Sequence, residues 1–120
     1  MGDLTKNFSR SEFACKCGCG FDNIKEHHVL MLQKIRDKVG FGMHITSGCR
    51  CQNHNDAVGG VPNSAHPRGE ASDISCMDAE QRFKLVYAAL EIGFNRIGIA
   101  KTFIHLDKDP FLPSPRIWTY

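Results

Sequence analysis

His66, Asp73 and His105 are the residues of this chain whose types and spacing best suit chemistry. His66 and Asp73 stand seven positions apart in Ser64-Ala-His66-Pro-Arg-Gly69-Glu-Ala71-Ser-Asp73, and His105 follows in Phe103-Ile-His105-Leu-Asp107. Imidazole nitrogens and a carboxylate oxygen are zinc ligands. Three protein ligands leave a coordination position open for water, which is what a hydrolytic zinc needs. The expected cofactor is Zn2+ and the expected chemistry is hydrolysis. Taken singly, each residue also fits a structural role, since a His on an apolar strand is commonly a satisfied core residue and six His in 120 residues give many chance pairs.

The elements around these residues must bring them together. His66 falls in a loop, residues 61–69, that carries Pro62, Asn63, Pro67 and Gly69. Asp73 lies on an expected strand, residues 71–76. Alternation there sets Asp73 and Ser75 on one face and Ile74 and Cys76 on the other. An Asp in a strand needs a partner. In a last strand, residues 102–107, His105 shares a face with Phe103 and Asp107, and Asp107 stands about 7 Å further along. Gly69 allows His66 to fold back toward Asp73 without steric cost.

Further along the chain, Ser9 and Glu12 have capping-box spacing and predict a short helical turn. Residues 15–20 read as an irregular loop. Asn23, with Glu26 behind it, predicts a helix whose face is His28, Leu32, Ile35 and Val39, stopped by Gly40 and Gly42. A short strand over 43–46, a turn at Ser47-Gly48 and a short helix over 49–58 follow, the helix closed by Gly59-Gly60. Asp78 and Gln81 open a second long helix, with Phe83, Val86, Tyr87 and Leu90 as its buried stripe and Gly93 as its end. Strands over 96–100 and 102–107 form a hairpin near Ala100-Lys101. The tail, with Pro110, Pro113 and Pro115, is expected to wrap the surface with Trp118 packed down. The sum is one α+β domain over residues 1–120, a small and largely antiparallel sheet with two main helices against it.

Composition narrows the function. Hydrophobic residues at 42% and charged residues at 23% are ordinary for a globular chain long enough to bury one core. The net charge of +2, without a Lys/Arg block, gives nucleic-acid binding no support. No apolar run is long enough to span a membrane. The opening Met1-Gly-Asp-Leu-Thr-Lys-Asn lacks the basic-then-apolar order of a secretory signal, so synthesis in the cytoplasm without a signal peptide is the expectation. Work outside the cytoplasm would then require release by other means. A monomer is expected.

Six cysteines form two groups: Cys15, Cys17 and Cys19, then Cys49, Cys51 and Cys76. Residues two apart in an extended segment point to opposite sides, so a Cys15–Cys17 bridge is not expected. Bridges between the groups, a second thiolate metal site and plain buried thiols all remain open. The C-x-C-x-C spacing differs from standard zinc-finger spacings.

The joint pattern S-x-H-x-x-G-x-A-x-D, followed by an apolar-H-x-D strand and preceded by Ser47-Gly-Cys-Arg50 and His54-Asn55…Gly59-Gly60, resembles one family. It is that of the zinc D-alanyl-D-alanine carboxypeptidases and their peptidoglycan endopeptidase relatives, a group that includes lysostaphin-type enzymes and the hedgehog signalling domain. The resemblance runs from about Phe8 to Trp118. The opening Phe8-Ser-Arg-Ser-Glu-Phe13 with Cys-Gly-Cys-Gly20 looks like small phage and prophage members. The resemblance implies that His66, Asp73 and His105 bind zinc. It also implies that Arg50 stabilises an oxyanion or holds substrate, and that Ser64 lies at the substrate pocket. The implied partner is a peptidoglycan peptide and the implied role is that of a wall-cutting endolysin.

The sequence departs from the family where a general base is expected. One branch has a second His two before the last ligand, where this chain has Phe103; another has an acid three before it, where this chain has Thr102. Asp107, the nearest acid on the same strand face, reads either as the base or as a group orienting a ligand His. Glu70, His54 and Asp109 are further candidates. Asp109 also stands where many relatives carry a basic residue. The departures motivate a second reading, a non-catalytic zinc-containing module that binds wall or partner. A redox or thiolate-metal protein built around the cysteines is a third.

Overall fold

The computed structural model describes residues 2–60 and 64–120. The first three residues of the loop expected over 61–69 therefore lie outside the described residues. Among the described residues three α-helices, α1 (Glu26–Val39), α2 (Gln52–Ala57) and α3 (Ala79–Ile92), accompany five strands. The strands are β1 (Ile45–Ser47), β2 (Ala71–Ser75), β3 (Arg96–Ile99), β4 (Phe103–Asp107) and β5 (Arg116–Thr119). They form one sheet in the order β1-β2-β4-β3-β5, antiparallel except for the parallel β3–β5 pair. The α+β expectation of a small, mostly antiparallel sheet with two long helices holds, with α2 as a third, short helix.

One face of the sheet builds the core. Ile45, Ile74, Ile97, Ile104 and Leu106 meet Val29, Leu32 and Ile35 of α1 and Leu85, Ala88 and Ala89 of α3, with Phe8, Phe13 and Phe94 closing the edges. Burying side chains of this size contributes about 1.5–3 kcal/mol each. His28 belongs to this core. Its Nε2 pairs with Ser72 Oγ at 2.9 Å, and burial pushes its pKa down to about 3. Cys49 and Cys76 are buried thiols of the same core, and burial pushes Cys49 up to about 12.

Three expectations are corrected. First, α1 starts at Glu26 behind an extended Lys25, not from an Asn23 cap. The Lys25 N–H donates to Gly69 O at 2.9 Å, which pins the preceding segment to the His66 turn. Gly69, at φ +69°, approaches so closely that a Cβ there would lie 2.2 Å from Asn23 O.

Second, the buried stripe of α3 is Leu85, Ala88 and Ala89, while Phe83, Tyr87 and Leu90 are 70%, 58% and 56% exposed. The helix is apolar on two sides. The side with two alanines can approach α1 and the sheet, and the bulky side is left outside, where Phe83 and Tyr87 stack on each other.

Third, the tail does not merely wrap. Residues 116–119 add β5 beside β3, with Gly98 opposite Trp118.

Candidate metal centre

The other sheet face carries the polar residues in register. On the β2–β4 ladder Asp73 stands directly opposite His105 and Ala71 opposite Asp107; on the β3–β4 ladder Gly98 stands opposite His105 and Arg96 opposite Asp107. His66 reaches the same place from the 3-10 turn His66–Arg68, which ends at Gly69. The three residues expected as ligands thus converge. Their ligating atoms lie within 4.8 Å of one another, and all three side chains are buried.

Hydrogen bonding at the rims fixes which ring nitrogen faces inward. His66 Nδ1 donates to Gly48 O at 2.7 Å, so its Nε2 carries the lone pair and faces Asp73 Oδ1 at 3.4 Å. His105 Nε2 donates to Asp107 Oδ2 at 2.6 Å, and its Nδ1 faces the same Asp73 Oδ1 at 2.8 Å. His66 Nε2 brings a lone pair and Asp73 a carboxylate oxygen to one buried spot, and His105 Nδ1 adds its own lone pair where a metal replaces the proton it shares with Asp73. Such a meeting is unfavourable unless a cation or a proton lies among them. The donor set, two imidazoles and one carboxylate, fits zinc.

The titration behaviour follows from the same contacts. Burial alone would lower His105, but the hydrogen bonds with Asp107 and Asp73 lift it to about 8. Burial alone would raise Asp73; its contacts with the His105 and His66 rings reverse this and hold it well below the usual carboxylate range. Asp107 is likewise lowered, against the burial penalty, by His105 and more weakly by Arg96.

Asp107 is fully buried and both its oxygens are engaged. Oδ2 accepts from His105, while Oδ1 accepts the Asp109 N–H at 3.0 Å and pairs with Arg96 Nε at 3.0 Å. The arrangement is a carboxylate–histidine pair, which sets ring orientation and tautomer.

Arg50 follows the Gly48 carbonyl that holds His66. Its guanidinium donates to Asn55 Oδ1 at 2.9 Å and Ser47 Oγ at 3.1 Å and stands 3.8 Å from Asp73 Oδ2. Its side chain is 12% exposed, so this is no surface ion pair. Ser64 Oγ accepts the His66 N–H at 3.1 Å.

The centre opens into a cleft of about 660 Å³ that contains all six expected site residues, His66, Asp73, His105, Asp107, Arg50 and Ser64. The remaining base candidates are elsewhere. Glu70 pairs with His27 at 3.2 Å and lines a separate groove of about 740 Å³. Asp109 is buried against Arg68 at 2.6 Å. His54, on α2, does not line the cleft.

Arg96, Trp118 and Tyr120, which sequence reasoning left out, also form the cleft walls. The Trp118 ring sits 5.5 Å from His105 and lies under the Arg96 guanidinium. It can do so because Gly98 has no side chain: a Cβ there would stand 2.7 Å from Trp118 Nε1. The run Arg116-Ile-Trp-Thr-Tyr120, β-branched and aromatic, carried a strand signal that the neighbouring prolines obscured.

A family model described as Peptidase M15 matches residues 6–107. No curated protein matches the chain.

Proposed function

The chain belongs to the peptidase M15 family of zinc-dependent peptidases, and on that premise we propose that it hydrolyses a peptide bond in the stem or cross-link peptides of bacterial peptidoglycan. The observation that carries this reading is the pair of histidines, each fixed through one ring nitrogen and turned with the other onto Asp73. His66 Nε2, Asp73 and His105 Nδ1 would hold the metal. Bound there, zinc supplies a Lewis acid that polarises a carbonyl and acidifies water.

The chain's own residues do the rest. Arg50, held from behind by Asn55 and Ser47, sets a fixed positive charge at the cleft floor. It stabilises negative charge developing on the scissile carbonyl or forks onto a terminal carboxylate. Of the two roles the sequence leaves open for Asp107, the geometry favours orienting His105, because neither oxygen is free to take a proton from the cleft. Ser64 holds the ligand turn and lines the pocket. Val58, Phe103, Leu112 and Trp118 supply apolar surface along the cleft walls. Asp109 keeps to its Arg68 pair, where many relatives carry a basic residue.

The resemblance of the Phe8–Gly20 segment to phage and prophage members supports a role as an endolysin, a monomer made in the cytoplasm and released to the wall. Purified Gram-negative sacculi incubated with zinc-loaded protein should yield cross-link dimers cut, or stems shortened, by mass spectrometry of the muropeptides. The His66→Ala variant should leave the profile unchanged. An unchanged profile with the wild type would refute the proposal.

One observation favours a second reading. Apart from Asp73 and Asp107, no carboxylate lines the cleft among the described residues. A chain that keeps zinc without a base would bind wall without cutting it. Co-sedimentation with sacculi and no soluble product would select that reading.

A further inference from the structure

Next to Arg50 in the chain, at Cys51, the structure gathers a second set of ligating atoms. The sulfurs of Cys15, Cys17, Cys19 and Cys51 all lie within 4.8 Å of one another, with Cys15–Cys17 at 3.4 Å and Cys17–Cys51 at 3.6 Å. We infer that these four cysteines form a structural zinc site, distinct from the His/Asp centre, that clamps the N-terminal loop onto the segment carrying Arg50. The inference rests on residues that the peptidase reading does not use.

The spacing fits a tetrahedron. Four thiolates at about 2.3 Å from zinc stand about 3.8 Å apart, whereas a disulfide needs sulfurs about 2.05 Å apart. All four cysteines are free thiols. Three sulfurs come from one short loop, which turns through the left-handed Gly18 between Cys17 and Cys19. This folding is how alternate positions of a C-x-C-x-C run reach the same side. The fourth comes from the residue capping α2.

The sulfurs also have the surroundings of ligands. The Cys51 N–H points at Cys15 Sγ and the His54 N–H at Cys51 Sγ, both at 3.4 Å. Backbone N–H groups aimed at sulfur stabilise thiolates and fix their direction. Cys17 and Cys19 are exposed, so apolar packing does not hold them in place. Cys49 and Cys76, by contrast, sit in the hydrophobic core and take no part.

Metal uptake balances simply: each thiol gives up its proton to solvent and each sulfur forms one bond to zinc. The consequence for the cleft runs through the chain. The Cys49 N–H donates to Phe13 O at 2.7 Å, and the Arg50 N–H donates to His66 O at 3.3 Å. A clamp at Cys51 therefore fixes the strip that sets both Arg50 and the His66 turn.

Metal content of protein purified under reducing conditions should be two zinc per wild-type chain. It should be one in His66→Ala/His105→Ala and one in Cys17→Ser/Cys51→Ser. Cobalt loading of the histidine double variant should keep thiolate-to-cobalt charge-transfer absorption, and the cysteine double variant should lack it. Because the cysteine variant can fail to fold, the wild type carries a second test. Alkylation mapped by mass spectrometry should spare Cys17 and Cys19 in the zinc-loaded chain and label both once a chelator is added. A wild-type zinc content that the cysteine double variant leaves unchanged, rapid alkylation of Cys17 and Cys19 in loaded protein, or a disulfide among the four in the reduced preparation would each overturn the inference.

Discussion

The two clusters of ligating residues are built on opposite principles. His66, Asp73 and His105 stand on or beside paired strands, and each histidine is already tied through its outer nitrogen, to Gly48 O or to Asp107. The four cysteines stand on an irregular loop and a helix cap, with N–H to sulfur contacts at 3.4 Å and two of the four exposed. The first centre is pre-organised by the sheet and would keep its shape without a metal. The second has less to hold it and would be closed by the zinc inferred there. A hydrolytic site needs an open, rigid pocket, whereas a structural site needs only to close.

The largest effect that could break this contrast is loss of a ligand. His105→Ala should bring peptide release from sacculi to background while one zinc per chain remains on the cysteines. Retained hydrolysis would remove His105 from the centre. Next comes Arg50, the residue between the two clusters. Arg50→Ala should lower kcat about 10²–10³-fold with two zinc still bound, as read by steady-state kinetics beside metal analysis. A loss of zinc instead would make Arg50 a purely structural residue.

A smaller effect sharpens the idea of pre-organisation. Asp107→Asn keeps the size of the side chain but weakens its hold on His105, and should cost about 10–100-fold in zinc affinity at that centre. Competition with a chelator measures it. An unchanged affinity would show that His105 needs no orienting partner.

The smallest effect tests the scaffold itself. His28 sits behind Asp73, bonded to Ser72, with its pKa depressed from about 6.5 to about 3 by burial. The unfolded chain therefore binds a proton that the folded one refuses. The stabilisation is complete above about pH 6.5 and drains away as pH falls toward 3, at up to about 1.4 kcal/mol per pH unit. His28→Gln should flatten the difference in denaturant midpoint across that window. Identical pH profiles for both proteins would contradict a neutral buried His28.

Much of the first centre was legible because its signals are local. Strand parity put Asp73 opposite the core-facing Ile74 and His105 opposite Ile104 and Leu106, and the structure keeps both alternations. Gly69 signalled the turn that returns His66. What the sequence hid depends on tertiary packing. Asn23 fails as a cap because Lys25 is tied to Gly69, a contact made by residues far apart in the chain. Phe83, Tyr87 and Leu90 satisfy helical periodicity as well as Leu85, Ala88 and Ala89 do, and only the need for close approach to α1 selects the smaller set. Trp118 and Tyr120 reach the cleft through a parallel pairing of β5 that no local pattern announces. The cysteine cluster was half visible. Spacing flagged the thiols, but the partnership of Cys51 with the first three arises only from the fold.

Zinc K-edge X-ray absorption on the Cys17→Ser/Cys51→Ser variant reads the His/Asp centre alone, since that variant leaves one centre to report on. One zinc per chain is expected, in a nitrogen and oxygen shell at about 2.0–2.2 Å without sulfur at about 2.3 Å. A sulfur shell around that zinc, or a variant that folds and holds no zinc, would contradict it.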